Sequence, residues 1–200
     1  MKKVYKLLEV HGGKLYPLYV NAKEETPIHE WLEAKCGEIT EEGKVKAGKL
    51  KKLAFRPGWH TSRLPYAPHI GKKVNGEIMA MHDNQVWCEC FIKDEVNYQE
   101  KADKNGRNAK GVVIPKKAYL KEIPRDGYYA YKTNASMIEP WYISGELFVS
   151  RVLTDEQVDQ ILKDNNIAPI KRMGEFPSLE ETYFTALIGE QNNRHKNTKI

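Results

Sequence analysis

The sequence has no apolar run approaching the roughly 18 residues that a membrane-spanning helix needs. Its opening, Met1-Lys2-Lys3-Val4-Tyr5-Lys6, contains no apolar stretch long enough for a secretory signal. Both absences predict a cytoplasmic protein. Cysteine is scarce, with only Cys36, Cys88 and Cys90. An odd count without framework spacing argues against a disulfide-stapled secreted fold. Cys88 and Cys90 stand two apart in a strand-like run, so their side chains share one face. They read as a metal pair or as two small core residues, and the lack of further ligands nearby favours the core. Internal repeats and linkers are also missing, so the 200 residues read as a single domain over residues 1–189 with a basic, disordered tail over 190–200.

What is present suits an ordinary folded domain. Hydrophobic residues make up 40% and aromatics 10%, which argues against general disorder. A chain of this length buries about 70% of its unfolded surface and needs neither metal nor disulfide to fold. The formal net charge of +5 favours approach to nucleic acid, a nucleotide or another anion. The densest basic stretch, Lys44, Lys46, Lys49, Lys51 and Lys52, reads as a solvated loop and edge strand, where lysine blocks unwanted pairing.

The local patterns predict an α+β fold, a mixed and mostly antiparallel sheet with about four short helices. Val4–Val10 and Lys14–Val20 are strand-like around a His11-Gly12-Gly13 turn. Thr26-Pro27, then Ile28, Trp31 and Leu32, predict a helix ended by Gly37. Strands are expected at Leu50–Phe55, Gln85–Ile92, Val112–Ile114, Ala118–Leu120 and Gly127–Lys132, with a turn at Asn75-Gly76. Trp141–Leu153 reads as one long strand, bulged at Gly145. Further helices are expected from Asn97 to Asp103, from Thr154 through Leu162 and from Ser178 through Leu187, each opened by a capping box, that of the first completed by Glu100.

Four segments carry candidate chemistry. In Arg56-Pro57-Gly58-Trp59-His60-Thr61-Ser62 a Pro-Gly turn can aim His60 into a cleft, or simply anchor Trp59 beside a solvated histidine. His60, His69, His82 and Asp83 are ligand types for zinc or iron, though not at a compact spacing. Tyr128-Tyr129-Ala130-Tyr131 puts Tyr129 and Tyr131 on one strand face, as a stacking platform or as core. Glu146 interrupts an aromatic and aliphatic strand, as a base and hydroxyl acceptor or as a solvent-facing residue.

Across residues 4–160 the chain resembles a group of proteins from phages and integrated mobile elements. The similar pieces include Lys14-Leu15-Tyr16-Pro17-Leu18-Tyr19-Val20, Arg56-Pro57-Gly58-Trp59-His60, His69-Ile70-Gly71, Asp83-Asn84-Gln85-Val86-Trp87, Tyr131-Lys132-Thr133-Asn134 and Trp141-Tyr142-Ile143-Ser144-Gly145-Glu146. That group implies the cytoplasm of a host cell and no particular activity. Trp59-His60-Thr61-Ser62-Arg63 is also similar to the Trp-His-Gly-Ser-Arg segment of the His-Tyr-Glu class of ADP-ribosyltransferases, with Thr61 where that class prefers glycine. This resemblance implies NAD as cofactor. His60 and Ser62 would bind it, Tyr129 or Tyr131 would stack on the nicotinamide, and Glu146 would hold the nicotinamide ribose as the catalytic carboxylate. Three classes therefore stand: an NAD-using transferase, a nucleic-acid-binding or metal-dependent nucleic-acid-processing protein, and a non-catalytic structural or interaction protein.

Overall fold

Apolar side chains on both faces of Lys2–His11 make it the central strand, β1, buried from Val4 to Leu8. The chain's computed structural model describes residues 1–47, 52–79, 81–106, 110, 118–133 and 137–183. A glycine turn returns β1 to β2 (Lys14–Tyr16). After β3 (Trp31–Glu33) a small ribbon pairs β4 (Lys44–Val45) with β5 (Leu53–Ala54), and β6 (Trp59–Ser62) re-enters the main sheet. A hairpin of β7 (Lys72–Val74) and β8 (Glu77–Met79) turns at Asn75-Gly76, as the sequence predicts. Then come β9 (Gln85–Ile92), β10 (Val96–Asn97), α1 (Gln99–Asn105), β11 (Gly127–Tyr131), β12 (Trp141–Ser144), β13 (Glu146–Val152) and α2 (Asp155–Asp164).

The main sheet runs β10-β11-β12-β6-β1-β9-β13-β3, with β2 on β1. Among the described strands of this sheet only the β10–β11 pair is parallel. The long strand expected over Trp141–Leu153 breaks at Gly145 into β12 and β13, and this break shapes the fold. β12 pairs with β6 and β11, whereas β13 pairs with β9 and β3. Pairings therefore run in a ring, from β6 to β12, through Gly145 into β13, then by β9 and β1 back to β6. Gly145 packs so closely on the turn at Pro124 that a Cβ there would stand 2.6 Å from its carbonyl oxygen.

Both faces of the central strands are covered. Tyr5, Leu7, Trp87, Tyr129, Tyr131 and Ile143 form one core with Val158 and Leu162 of α2. Val4, Leu8, Leu15, Cys88, Cys90, Leu147 and Val149 form the other. Cys88 and Cys90 are thus core residues, and burial pushes both thiols up, that of Cys90 to about 12.

The helix content is lower than the sequence pattern implies. No helix forms over 26–37: His29 takes φ +63°, outside the helical region, and Trp31–Glu33 instead pairs with β13. Thr26 is buried and its N–H donates to Leu15 O at 2.8 Å. The strand expected at Ala118–Leu120 is irregular chain whose Ala118 and Leu120 fill the core beneath α1. The strand expected over Lys14–Val20 is shorter, Lys14–Tyr16. The capping box at Thr154 forms in full, with Gln157 N–H donating to Thr154 Oγ1 at 3.3 Å and Gln157 Oε1 accepting from Thr154 N–H at 3.0 Å. The Ser178 segment docks beside the β1–β2 turn through Glu180 N–H to Gly13 O at 2.8 Å, and Tyr183 is buried. The expected strand at Val112–Ile114, the rest of the last helix and the 190–200 tail lie outside the described residues.

Candidate functional site

The Arg56-Pro57-Gly58-Trp59-His60 segment folds back on itself before joining the sheet. Gly58 takes φ +141° and presses on β12, leaving no room for a Cβ beside Ile143 Cγ2 and Ser144 O. His60 Nε2 lies 3.0 Å from Arg56 O, and its Nδ1 lies 3.3 Å from the Tyr131 hydroxyl. A carbonyl only accepts, so Nε2 carries the proton and Nδ1 accepts from the phenol. Both ring nitrogens are therefore engaged within the protein. Burial, helped by the charges of Lys6 and Arg56, pushes the imidazole down to about 4, so the ring is neutral at pH 7. The Arg56 guanidinium lies 4.4 Å from the centre of the Tyr131 ring, and Trp59 Nε1 donates to Leu32 O on β3 at 2.9 Å.

This corner forms one wall of a cleft of about 790 Å³. The 17–25 loop after β2 and the 31–35 segment containing β3 also line it. Trp141 and His69 line it as well, packed edge to face with ring centres 5.6 Å apart. Lys6 reaches the cleft from β1. Its Nζ donates to His60 O at 3.0 Å and stands 5.3 Å from the centre of the Trp59 ring. Burial pushes its amine down to about 8. The cleft therefore combines aromatic faces with two cations seated on them, Lys6 on Trp59 and Arg56 on Tyr131.

Of the residues singled out in the sequence, His60 and Tyr131 meet on the cleft wall. Tyr129 shares their sheet face, since it lies opposite Ile143, which lies opposite His60. It is fully buried, its hydroxyl accepts from Leu120 N–H at 3.4 Å, and burial pushes the phenol up to about 12. Ser62 is likewise buried, with Oγ donating to Leu64 O at 2.6 Å. Glu146 stands apart from the cleft. It is buried where β12 passes into β13, and its carboxylate accepts from Asp126 N–H at 3.0 Å, which fixes the turn before β11. Burial raises its pKa. The carboxylate on the aromatic-rich strand thus has a structural partner, and His60, Tyr129 and Glu146 do not converge.

His82 and Asp83 lie at the turn into β9, where their carbonyls accept from Arg172. Among the described residues no group of three or more His, Cys, Asp or Glu side chains is placed to hold a metal ion. Sequence reasoning missed Lys6. The available signal was a lysine at the middle of Val4-Tyr5-Lys6-Leu7-Leu8, a position buried on both faces. No helix among the described residues is long and apolar enough to cross a membrane. No protein-family model, curated protein or solved structure matches the chain.

Proposed function

We propose that the protein binds a planar, anionic ligand of the nucleotide class in the cleft between the Arg56–His60 corner, the 17–25 loop and β3. The observation that carries this reading is the pair of cation-on-ring contacts, Lys6 with Trp59 and Arg56 with Tyr131, on the wall of a cavity of about 790 Å³. Rings supply stacking area for a base, and cations supply charge for a phosphate. NAD is the specific candidate, because the resemblance to His-Tyr-Glu ADP-ribosyltransferases names it and His60 and Tyr131 stand on this wall. In this reading His60 orients the corner through Arg56 and Tyr131. Glu146 holds the 126 turn, so group transfer is not part of the proposal. The net charge of +5 favours a second reading, in which the cleft takes bases of a single-stranded nucleic acid.

The test is a thermal-shift and calorimetric titration with NAD, ADP-ribose, AMP and a short single-stranded oligonucleotide. A ligand at 100 times its dissociation constant adds about 2.7 kcal/mol of stability. Stabilisation by NAD or AMP, weakened in Tyr131→Leu, supports the first reading. A response to the oligonucleotide alone, falling steeply with salt, supports the second. Absence of any response at millimolar ligand refutes both. Nicotinamide release from bound NAD, lost in Glu146→Gln, would restore the transferase reading that the geometry does not favour.

A further inference from the structure

Lys6 sits where an ammonium is costly. Its residue is 8% exposed, on the central strand and between two cores. One N–H donates to His60 O, and among the described residues the other two have no hydrogen-bond acceptor. The carboxylates on the cleft wall are engaged elsewhere: Glu24 with Lys35 at 2.7 Å, Glu25 with Lys14 at 2.9 Å and Glu33 with Arg125 at 3.6 Å. On β9 its directly paired residue is Cys88, with Cys90 two residues on. A buried cation bordering a large cleft, with no carboxylate partner among the described residues, can take its counter-ion from a ligand.

We propose that Lys6 seats an oxyanion of the ligand, a phosphate or a carboxylate, at the inner end of the cleft while the planar part stacks on the aromatic wall. This inference rests on the nucleotide-binding reading and deepens it by naming the group that recognises charge. An anion at this position favours the charged amine, so binding near pH 8 draws a proton onto Lys6. The neighbouring groups keep their charge states between pH 7 and 9. His60 is already neutral, Tyr131 and Cys90 hold their protons to about 12, and Cys88 is pushed up by the same burial. Above pH 8 each further unit leaves about a tenth of the ammonium, so affinity for the anion falls about tenfold per unit. The phosphate of a mononucleotide has its second pKa near 6 and does not contribute to that fall.

The experiment has two arms. Calorimetry compares AMP with adenosine at pH 7 and pH 9.5 on the wild type, Lys6→Met and Lys6→Arg. Competitive acetylation read by mass spectrometry follows the pKa of Lys6 with and without inorganic phosphate. The expected result is tighter binding of AMP than of adenosine, a loss of at least about tenfold at the higher pH, removal of the AMP advantage in Lys6→Met, and a flat pH profile in Lys6→Arg. Phosphate should raise the Lys6 pKa, and this arm supports the proposal even if the arginine variant fails to fold. Equal binding of AMP and adenosine, independent of pH, overturns the anion seat and leaves the stacking cleft standing. Failure of both ligands overturns the nucleotide reading, and a Lys6 pKa unmoved by phosphate then overturns the anion seat as well.

Discussion

His60 reaches back four residues to hydrogen-bond the carbonyl of Arg56 at 3.0 Å, closing the Pro57-Gly58 turn into a rigid corner. The same imidazole accepts from Tyr131, whose ring carries the Arg56 guanidinium. A histidine that the sequence suggests for cofactor binding thereby fixes a cation on an aromatic face.

The corner depends on Gly58. An alanine there must adopt φ +141° and place its Cβ against Ile143 and 2.9 Å from Ser144 O. Backbone strain and overpacking each cost about 1–3 kcal/mol. Gly58→Ala should therefore lose at least about 2 kcal/mol in chemical denaturation. A loss below about 0.5 kcal/mol would mean that the turn relaxes freely and that the corner is not rigid.

Trp59 ties the corner to β3 through its indole N–H and Leu32 O. Trp59→Phe keeps most of the ring and removes the donor, so it should cost about 1 kcal/mol. Amide exchange at residues 31–33 should speed up in parallel. Trp59→Ala should cost about 3 kcal/mol. If Trp59→Ala loses less than about 1 kcal/mol, the ring serves ligand contact more than structure.

Local signals in the sequence were enough wherever a single element decides its own shape. The β1–β2 turn, β9, β11 and the Thr154 capping box all stand where the pattern places them. The helix expected over 26–37 fails because Ile28, Trp31 and Leu32 also suit an edge strand, and pairing with β13 settles the choice through contacts more than a hundred residues away. The break at Gly145 was legible, but its consequence, a strand serving two different neighbours, was not. For the site, Tyr131 and His60 could be picked out as aromatic and imidazole on strands. Lys6 was passed over, since a lysine inside an apolar strand gains its meaning only from burial, and Glu146 misled because its partner is the backbone N–H of Asp126.

Arg172 clamps the segment after α2 to the rest of the fold. Its side chain is 4% exposed. It forks onto Asp155 at 2.8 Å through two nitrogens, donates to the carbonyls of His82, Asp83 and Gln85, and lies 5.0 Å from the Phe176 ring centre. Arg172→Met takes the guanidinium from the Asp155 carboxylate and from three carbonyls, of which His82 O keeps Gln85 N–H at 3.1 Å, and should cost about 3–5 kcal/mol. Arg172→Lys should recover only part of this, because an ammonium cannot reproduce the fork. Equal stability of the methionine variant in urea titration would show that the clamp is dispensable.

The neutral state of His60 predicts an acid-side loss of stability. Its folded pKa is pushed down to about 4 from an ordinary value of 6.5, chiefly by burial. Between those values the unfolded chain binds a proton that the folded protein does not, so stability falls as pH drops through this window and levels off below about 4. Glu146 acts in the opposite sense, because burial raises its folded pKa and protonation there favours the folded state as pH falls. The two are separated by comparison with His60→Gln, which keeps hydrogen-bonding groups at the position and cannot titrate. Wild type minus variant should change by more than about 1 kcal/mol between pH 6.5 and 4, while Glu146 cancels in the difference. A pH-independent difference would mean that the imidazole is protonated in the folded state, and that His60 Nδ1 donates where the geometry has it accepting from Tyr131.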